Sequence, residues 1–597
     1  MNREVVDEDV GSAEINPKTA VPVGEKGTWR ITYRAGRRGL DNGGSVRITI
    51  PHGFSLPQIK AFFDPGFTTI KADSLDLEFE LDVVTDIFCR WDTEAGHSGA
   101  WGRSVFVHNI GRKMEEGETF TLIYGNQDYY GGESFIKSGS WTRELSGKAE
   151  FTVAVDPDGE RGYPYSGYAK IRNQPFLMLD EGREIRRMGF LPADVYADET
   201  IIMSIISVDA FNNPRKIKDS DVTVMEDFIK LDEEMSDGWV PIRMNPVRIH
   251  DEEAELKLFW GDPHGHTIHS DGLGTLDDYY KFAQNISCLD FTAVTDHDDI
   301  GPKLSQDEWE LTKRVANRYY KPGEFTSFIG HEYRNDLCDM NVYYPGKSGE
   351  LLCHTEDNLN DAAVLTEQVK KNGGMIVPHM HFGADWSGFD PEVYRVIEVY
   401  SQHGSAEYPG CPREIPYLRK QVQKSSKTNE DCYIHDALKQ GFRMGFIAGS
   451  DTHSGRPGFS DWTRVCRTYF CGLTAVFATE CTREAIWEAL YSRHCYATTG
   501  NRSILEFEIN GRPMGSEISI DSGTTREIYI NCKADGQLYG LKIFRSGKIW
   551  IDEKLYGQTV QKKYTDKNRT RNDWYYARLD LNDGEMVWSS PIWIDVD

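Results

Sequence analysis

No run of apolar residues in this chain is long enough to cross a bilayer. The richest, IIMSIISVDAF from Ile201, is broken by Ser and Asp and falls well short of the roughly 18 to 20 residues a spanning helix needs. The first residues, MNREVVDEDVGSAEINP, are acidic and carry no apolar stretch of the secretory kind, so a cytoplasmic location is expected. Positive charge is short: 67 Lys and Arg stand against 94 Asp and Glu, a net charge of −27. Such a field repels polyanions and argues against nucleic acid and anionic membrane surfaces as partners. Cys-x-x-Cys pairs are missing and the eleven cysteines are odd in number. A structural zinc finger is thereby excluded, and reduced, mostly buried thiols are expected. The chain also lacks a nucleophile elbow, a nucleotide-binding loop, a fixed-period repeat and any low-complexity tract.

What is present is an ordinary globular composition. Apolar residues make up 39% before the 55 glycines are counted, so the chain can build cores and disorder is not its main state. Its 597 residues allow roughly three or four domains. Residues 1–160 and 161–254 read as β. Trp29, Ile31 and Tyr33 alternate with polar neighbours, as do Val46, Ile48 and Ile50, and turns such as Asn212-Asn213-Pro214 punctuate the strands. This predicts an N-terminal β-sandwich and a second, Ig-like β domain. From 255 to 500 the apolar runs KLFW, DFTAVT, SFIG, MIVP, VIEVY and FIAG alternate with helical segments. One helix opens on Thr275 with Asp278 in a capping-box pattern, and another spans Asp361 to Lys371. That alternation predicts an α/β barrel. Residues 501–597 return to β, with Tyr575, Ala577, Leu579 and Leu581 alternating before a turn at Asp583-Gly584; a C-terminal β-sandwich is expected.

Twelve of the sixteen histidines fall in the central segment, each candidate just after a predicted strand. His264 and His266 follow KLFW, His297 follows DFTAVT, Glu332 follows SFIG, His379 and His381 follow MIVP, His403 follows VIEVY, and Asp451 and His453 follow FIAG. A single His near a strand end is more often a satisfied polar residue than a ligand. In a parallel barrel, however, all these strand ends converge on one face, and the conjunction is hard to explain as packing. Imidazole with carboxylate and no thiolate suits Zn, Mn or Fe. So many ligands exceed the needs of one ion and fit two or three divalent metal ions, with Glu332 as a bridging carboxylate.

The stretches HGHTIHSDG, VTDHDD, GHE, VPH, YSQHG and GSDTH resemble the PHP (polymerase and histidinol phosphatase) superfamily, and WGDPHGHTIHSDGLGT with YYARLDLNDGEMVWSSPIWI resembles its DUF3604-type members. The resemblance implies a distorted (β/α)7 PHP-type barrel between β-sandwich domains, holding up to three ions. It would place His264, His266, Glu332 and Asp451 on one ion, Glu332, His379 and His403 on a second, and Asp271, His297 and His453 on a third. Asp271 stands where many members carry His, and Asp339 occupies a place where the DUF3604 type is expected to carry His. His379 fits the family pattern, with His381 as the alternative.

His269 and His381 flank ligands and can donate a proton to a leaving group. Arg334 follows Glu332 by two residues, so on a strand it shares that face and can bind an anion in two-pronged fashion; Arg456 is a second such candidate. A polar insertion containing RKQVQKSSKTNE, and the aromatic segment from Trp91 to Trp101, are candidates to cover the pocket. The expected function is a metal-dependent hydrolase, most directly a phosphoesterase, turning over a small anionic substrate through a metal-bridging hydroxide. Hydrolysis of a non-phosphate bond is the alternative within the same chemistry, and a non-catalytic binding protein with structural metals is the alternative outside it. A homo-oligomer is compatible with the flanking β-domains.

Overall fold

The computed structural model describes residues 6–51, 54–61, 64–84, 103–126, 140–142, 146–159, 168–209, 213–224, 229–231, 242–298, 304–335, 338–354, 361–379, 385–415, 418, 433–459, 471–567 and 570–597. His381, the Arg419–Glu430 basic stretch and the whole Trp91–Trp101 segment lie outside the described residues. The chain divides into two compact units. One is built mainly of Met1–Arg183, the other of Glu184–Val208, Pro214–Asp299 and Leu304–Asp597.

In the first unit, alternation turns Trp29, Ile31 and Tyr33 inward from the strand Trp29–Ala35. That strand pairs antiparallel with Gly11–Asn16 and Thr119–Tyr124. A five-stranded sheet containing Ser45–Ile50 and Arg103–Asn109 supplies Val46, Ile48, Val105 and Val107 to the same core.

The second unit carries the predicted strand–helix segment. We label its elements β1 (Lys257–Asp262), α1 (Leu276–Asn285), β2 (Phe291–Val294), α2 (Gln306–Tyr319), β3 (Thr326–Arg334), β4 (Asp339–Tyr344), α3 (Ala362–Lys371), β5 (Met375–His379), β6 (Val396–Ser401), α4 (Ile434–Lys439), β7 (Gly445–Ala448), β8 (Leu473–Ala478), α5 (Arg483–Tyr491) and β9 (Cys495–Thr498). Local chemistry sets the helix starts. Thr275 and Asp278 cap α1 reciprocally, Ser305 and Glu308 do the same for α2, and Asp361 caps α3.

The expected (β/α)7 barrel does not form. The molecule is mostly β, 46% strand and 11% helix, in several sheets, and the strands above lie in one open, mixed sheet. β1, β2 and β3 are parallel, as are β5, β6 and β7, but β4 runs antiparallel between the two groups. The cause is the short link from Arg334 to Asp339, which leaves no room for the helical crossover a parallel neighbour requires. Closure fails at β7. Its outer edge meets hydroxyls instead of a strand ladder: Phe446 N donates to Ser590 Oγ at 2.8 Å and Ala448 N to Thr474 Oγ1 at 3.0 Å. On the other side β1 pairs antiparallel with β8, β8 with β9, and β9 with Met586–Ser589. The sheet therefore runs across the expected boundary at 500/501 into the C-terminal strands, with sixteen strands among the described residues.

Candidate metal centre

Although the sheet is open, β1, β2 and β3 point one way and β5, β6 and β7 bring their carboxyl ends to the same side. Short bridges lock these ends together. His266 N donates to Thr452 O at 2.8 Å and Asp451 N to His264 O at 3.0 Å, and His297 forms an isolated bridge with Glu332. Gly265 is required between the two histidines, because a Cβ there would sit 2.5 Å from the Tyr279 hydroxyl. Asp296 pins the following loop by accepting from Thr267 N at 2.7 Å, Thr267 Oγ1 at 2.6 Å and Ser270 Oγ at 2.7 Å.

The result gathers six imidazoles and four carboxylates, all nearly inaccessible to solvent. His264 Nε2 and His266 Nε2 lie 3.1 and 3.2 Å from Glu332 Oε2, and His266 Nε2 lies 3.1 Å from Asp451 Oδ1. Asp451 turns its other oxygen to a second group, with His403 Nε2 at 2.7 Å and His379 Nε2 at 3.4 Å. Asp271 Oδ2 faces a third, with His453 Nε2 at 3.1 Å and His297 Nε2 at 3.5 Å. His297 Nδ1 is 3.6 Å from Glu332 Oε2. All nine residues expected to bind ions are thus brought together, and the grouping differs in one respect. The carboxylate beside His379 and His403 is Asp451, where the resemblance put Glu332.

Electrostatics match this crowding. Burial alone would depress His264, but Glu398, Asp451 and Glu332 outweigh it and raise its pKa well above the usual imidazole value. His266, likewise buried, is pushed up to about 10 by Asp271, Asp451 and Glu332. Asp451 and Glu332 resist burial and are held well below the usual carboxylate range by the surrounding imidazoles. His297 goes the other way: burial drives it well below the usual value.

Do these residues fit divalent ions? The donor set is nitrogen and oxygen in overlapping groups whose ligand atoms lie within 4.8 Å of one another. The buried His266 Nδ1 and His297 Nδ1 lack hydrogen-bond partners, as do both polar atoms of buried Asn341, which sits directly across the sheet from Glu332. Buried polar atoms are ordinarily satisfied, so unsatisfied donors and acceptors beside such a cluster fit a centre that holds metal ions.

The other expected residues have partners of their own. Arg334 forms a two-pronged ion pair with buried Asp339, at 2.5 Å from Nε and 2.6 Å from Nη2. Asp339, where a His was expected, therefore holds a guanidinium beside the centre. His269 Nδ1 lies 3.2 Å from Glu308 Oε1, whose other oxygen caps α2. Arg456 lies over the Phe282 ring. Asp298 bonds the His354 backbone and ring at 2.8 and 3.0 Å. His331 points to the opposite face of β3, against Trp309. Two residues escaped the sequence reading: Asn341, and Glu398, whose carboxylate touches His264 Nδ1 at 2.9 Å and His379 Nδ1 at 2.6 Å. The available signal for Glu398 was a lone charge inside the apolar strand VIEVY.

Known proteins resemble this chain at several levels. The family model described as "Protein of unknown function (DUF3604)" matches residues 291–343 and 460–509. An uncharacterized protein of Chlamydia pneumoniae is 28% identical over 553 residues, 82% of this chain and 86% of that protein. One from Chlamydia trachomatis serovar D is 24% identical over 556 residues, 83% of this chain and 86% of that protein. A solved Bacteroides vulgatus structure is described as a two-domain protein containing a predicted PHP-like metal-dependent phosphoesterase. It shares 15% identity, covers 56% of this chain and 96% of its own, and superposes with a TM-score of 0.30. A likeness of that size bears on neither the fold nor the chemistry of this chain. Among the described residues no helix is long and apolar enough to cross a membrane.

Proposed function

We propose that this chain is a PHP-like, DUF3604-type metal-dependent hydrolase, most directly a phosphoesterase acting on a small anionic substrate. The observation that carries the reading is the sharing of carboxylates. Asp451 presents one oxygen to the His264/His266 group and the other to His379/His403, an arrangement suited to adjacent ions. His264, His266, Glu332 and Asp451 would hold one; Asp451, His379 and His403 a second; Asp271, His297 and His453 a third. Zn, Mn or Fe at such positions supplies Lewis acidity and lowers the pKa of water toward neutrality.

The chain's own residues do the rest. Arg334, fixed by Asp339, sets a permanent cation beside the centre to meet the substrate's negative charge. His269, its Nδ1 held by Glu308, is the proton donor for the leaving group, a role for which His381 is the second candidate. Asp296 keeps the loop that carries Asp271 in place. Buried free thiols at Cys338, Cys411, Cys495 and Cys532 support a reducing, cytoplasmic setting.

The test is metal analysis of the purified protein joined to a panel of phosphate monoesters, diesters and carboxylic esters. Chelator should abolish turnover and one of the three metals restore it. Glu332→Ala should lose at least one ion and nearly all activity, because its carboxylate faces three imidazoles. Equal activity in stripped and reconstituted protein on every ester would overturn the mechanism. Full metal loading without turnover of any ester would favour a binding role.

A further inference from the structure

Glu398 is a buried carboxylate in β6, between the core residues Ile397 and Val399. Each of its oxygens meets a different ring: Oε2 lies 2.9 Å from His264 Nδ1, and Oε1 lies 2.6 Å from His379 Nδ1. Both rings turn their Nε2 atoms the other way. His264 Nε2 faces Glu332 at 3.1 Å and Asp451 at 3.6 Å, and His379 Nε2 faces Asp451 at 3.4 Å.

We propose that Glu398 is a positioning residue, a single carboxylate that clamps the Nδ1–H groups of His264 and His379 and so couples two adjacent ion sites. The inference rests on the metal-centre reading above. A neutral imidazole offers one donor and one acceptor nitrogen, and the partner of one nitrogen decides the role of the other. With Nδ1–H given to Glu398, each ring presents its Nε2 lone pair to the side where His266, His403, Glu332 and Asp451 gather. His264 belongs to the first candidate group and His379 to the second, so the clamp ties a ligand of each to one rigid group. An ion seated among Glu398 and the two Nδ1 atoms would displace both protons and leave each ring serving two ions. Two donors on one carboxylate, one per oxygen, is the simpler arrangement: Oε2 is hydrogen-bonded to His264 Nδ1, and buried Oε1, without a hydrogen-bond partner as placed, has His379 Nδ1 within 2.6 Å.

The surroundings are shaped for this contact. A Cβ at Gly449 would lie 2.9 Å from Glu398 Oε2 and 2.5 Å from His264 Cβ, so the residue two positions before Asp451 has no side chain to disturb the clamp.

The experiment uses full-length wild type, Glu398→Gln and Glu398→Asp, stripped with chelator and titrated with Co²⁺. Bound ion is counted by equilibrium dialysis, and its surroundings are read from the Co²⁺ absorption spectrum. In Glu398→Gln the amide NH2 meets one Nδ1–H donor to donor. We expect an unchanged ion count, both coupled sites weakened about 10- to 100-fold, and an altered spectrum. Glu398→Asp keeps the charge but falls a methylene short, and should lie between the two. Wild-type affinity in Glu398→Gln overturns the proposal. So does complete loss of one ion with the other unaffected, which would make Glu398 a direct ligand. If Glu398→Gln does not fold, the Glu398→Asp titration decides between weakened coupled sites and either of those overturning results. A wild type that takes up no ion would instead overturn the metal-centre reading itself.

Discussion

Asp451 holds a left-handed backbone, φ 54°, a conformation that side-chain-bearing residues seldom adopt and that Asp tolerates better than most. The turn lets its two oxygens face different imidazole groups, so the strain sits where the geometry needs it. Asn341 is costly in another way. Its buried amide has no partner, and an unsatisfied buried polar group costs about 1 to 3 kcal/mol. Asn341→Leu should therefore raise the stability of the metal-free protein by about 1 kcal/mol or more, measured by urea unfolding in chelator, while turnover falls. A less stable variant would show that the amide serves the fold and not the site. Most of the ion-facing histidines and acids were legible because they stand just after an apolar run, at or near the carboxyl end of its strand, where a sequence pattern and a spatial direction coincide. Asn341 and Glu398 were not, because each stands in the middle of an apolar run and acquires meaning only from a partner across the sheet, Glu332 for the one and His379 for the other.

At the scale of elements, the apolar runs KLFW, DFTAVT, SFIG, MIVP, VIEVY and FIAG correspond to β1, β2, β3, β5, β6 and β7, and the caps of α1 and α3 stand where Thr275 and Asp361 predicted them. The barrel was misread because β4 and β8 run antiparallel; direction is set by link length and partner choice, which periodicity does not encode. The helix α4 shows how tightly the neighbouring elements are held. His435 Nε2 donates to Tyr576 Oη at 2.7 Å, and Tyr576 in turn donates to Glu407, which is ion-paired with Arg578. Burial, helped by Lys439 and Arg578, lowers the His435 pKa to about 3. The unfolded chain then takes up a proton near pH 6.5 that the folded chain refuses. The contribution is whole above pH 6.5 and drains away as pH falls toward 3. Between pH 7 and 4.5, His435→Gln should lose less stability than wild type by about 2 kcal/mol, as read by urea unfolding at the two pH values. Parallel losses would mean His435 is protonated in the folded state.

For the whole molecule, the candidate centre lies entirely within the second compact unit. Ligand binding to the folded state alone stabilises it by about 3 kcal/mol at a hundredfold excess over Kd. Calorimetry should show one transition moving upward with added ion, reversibly with chelator, and the transition of the first unit unmoved. A shift of both would mean that the two units unfold as one. The net charge of −27 belongs to this scale too, since it concentrates cations near the surface and weakens with salt.

The central claim is that ions sit among these ten side chains, and anomalous diffraction from metal-loaded crystals tests it most directly. The account predicts two or three peaks, one about 2.0 to 2.3 Å from His264 Nε2 and His266 Nε2 and the next sharing Asp451 with His379 and His403. Density for an ion elsewhere in the chain, with none between Asp451 and its imidazoles, would contradict it.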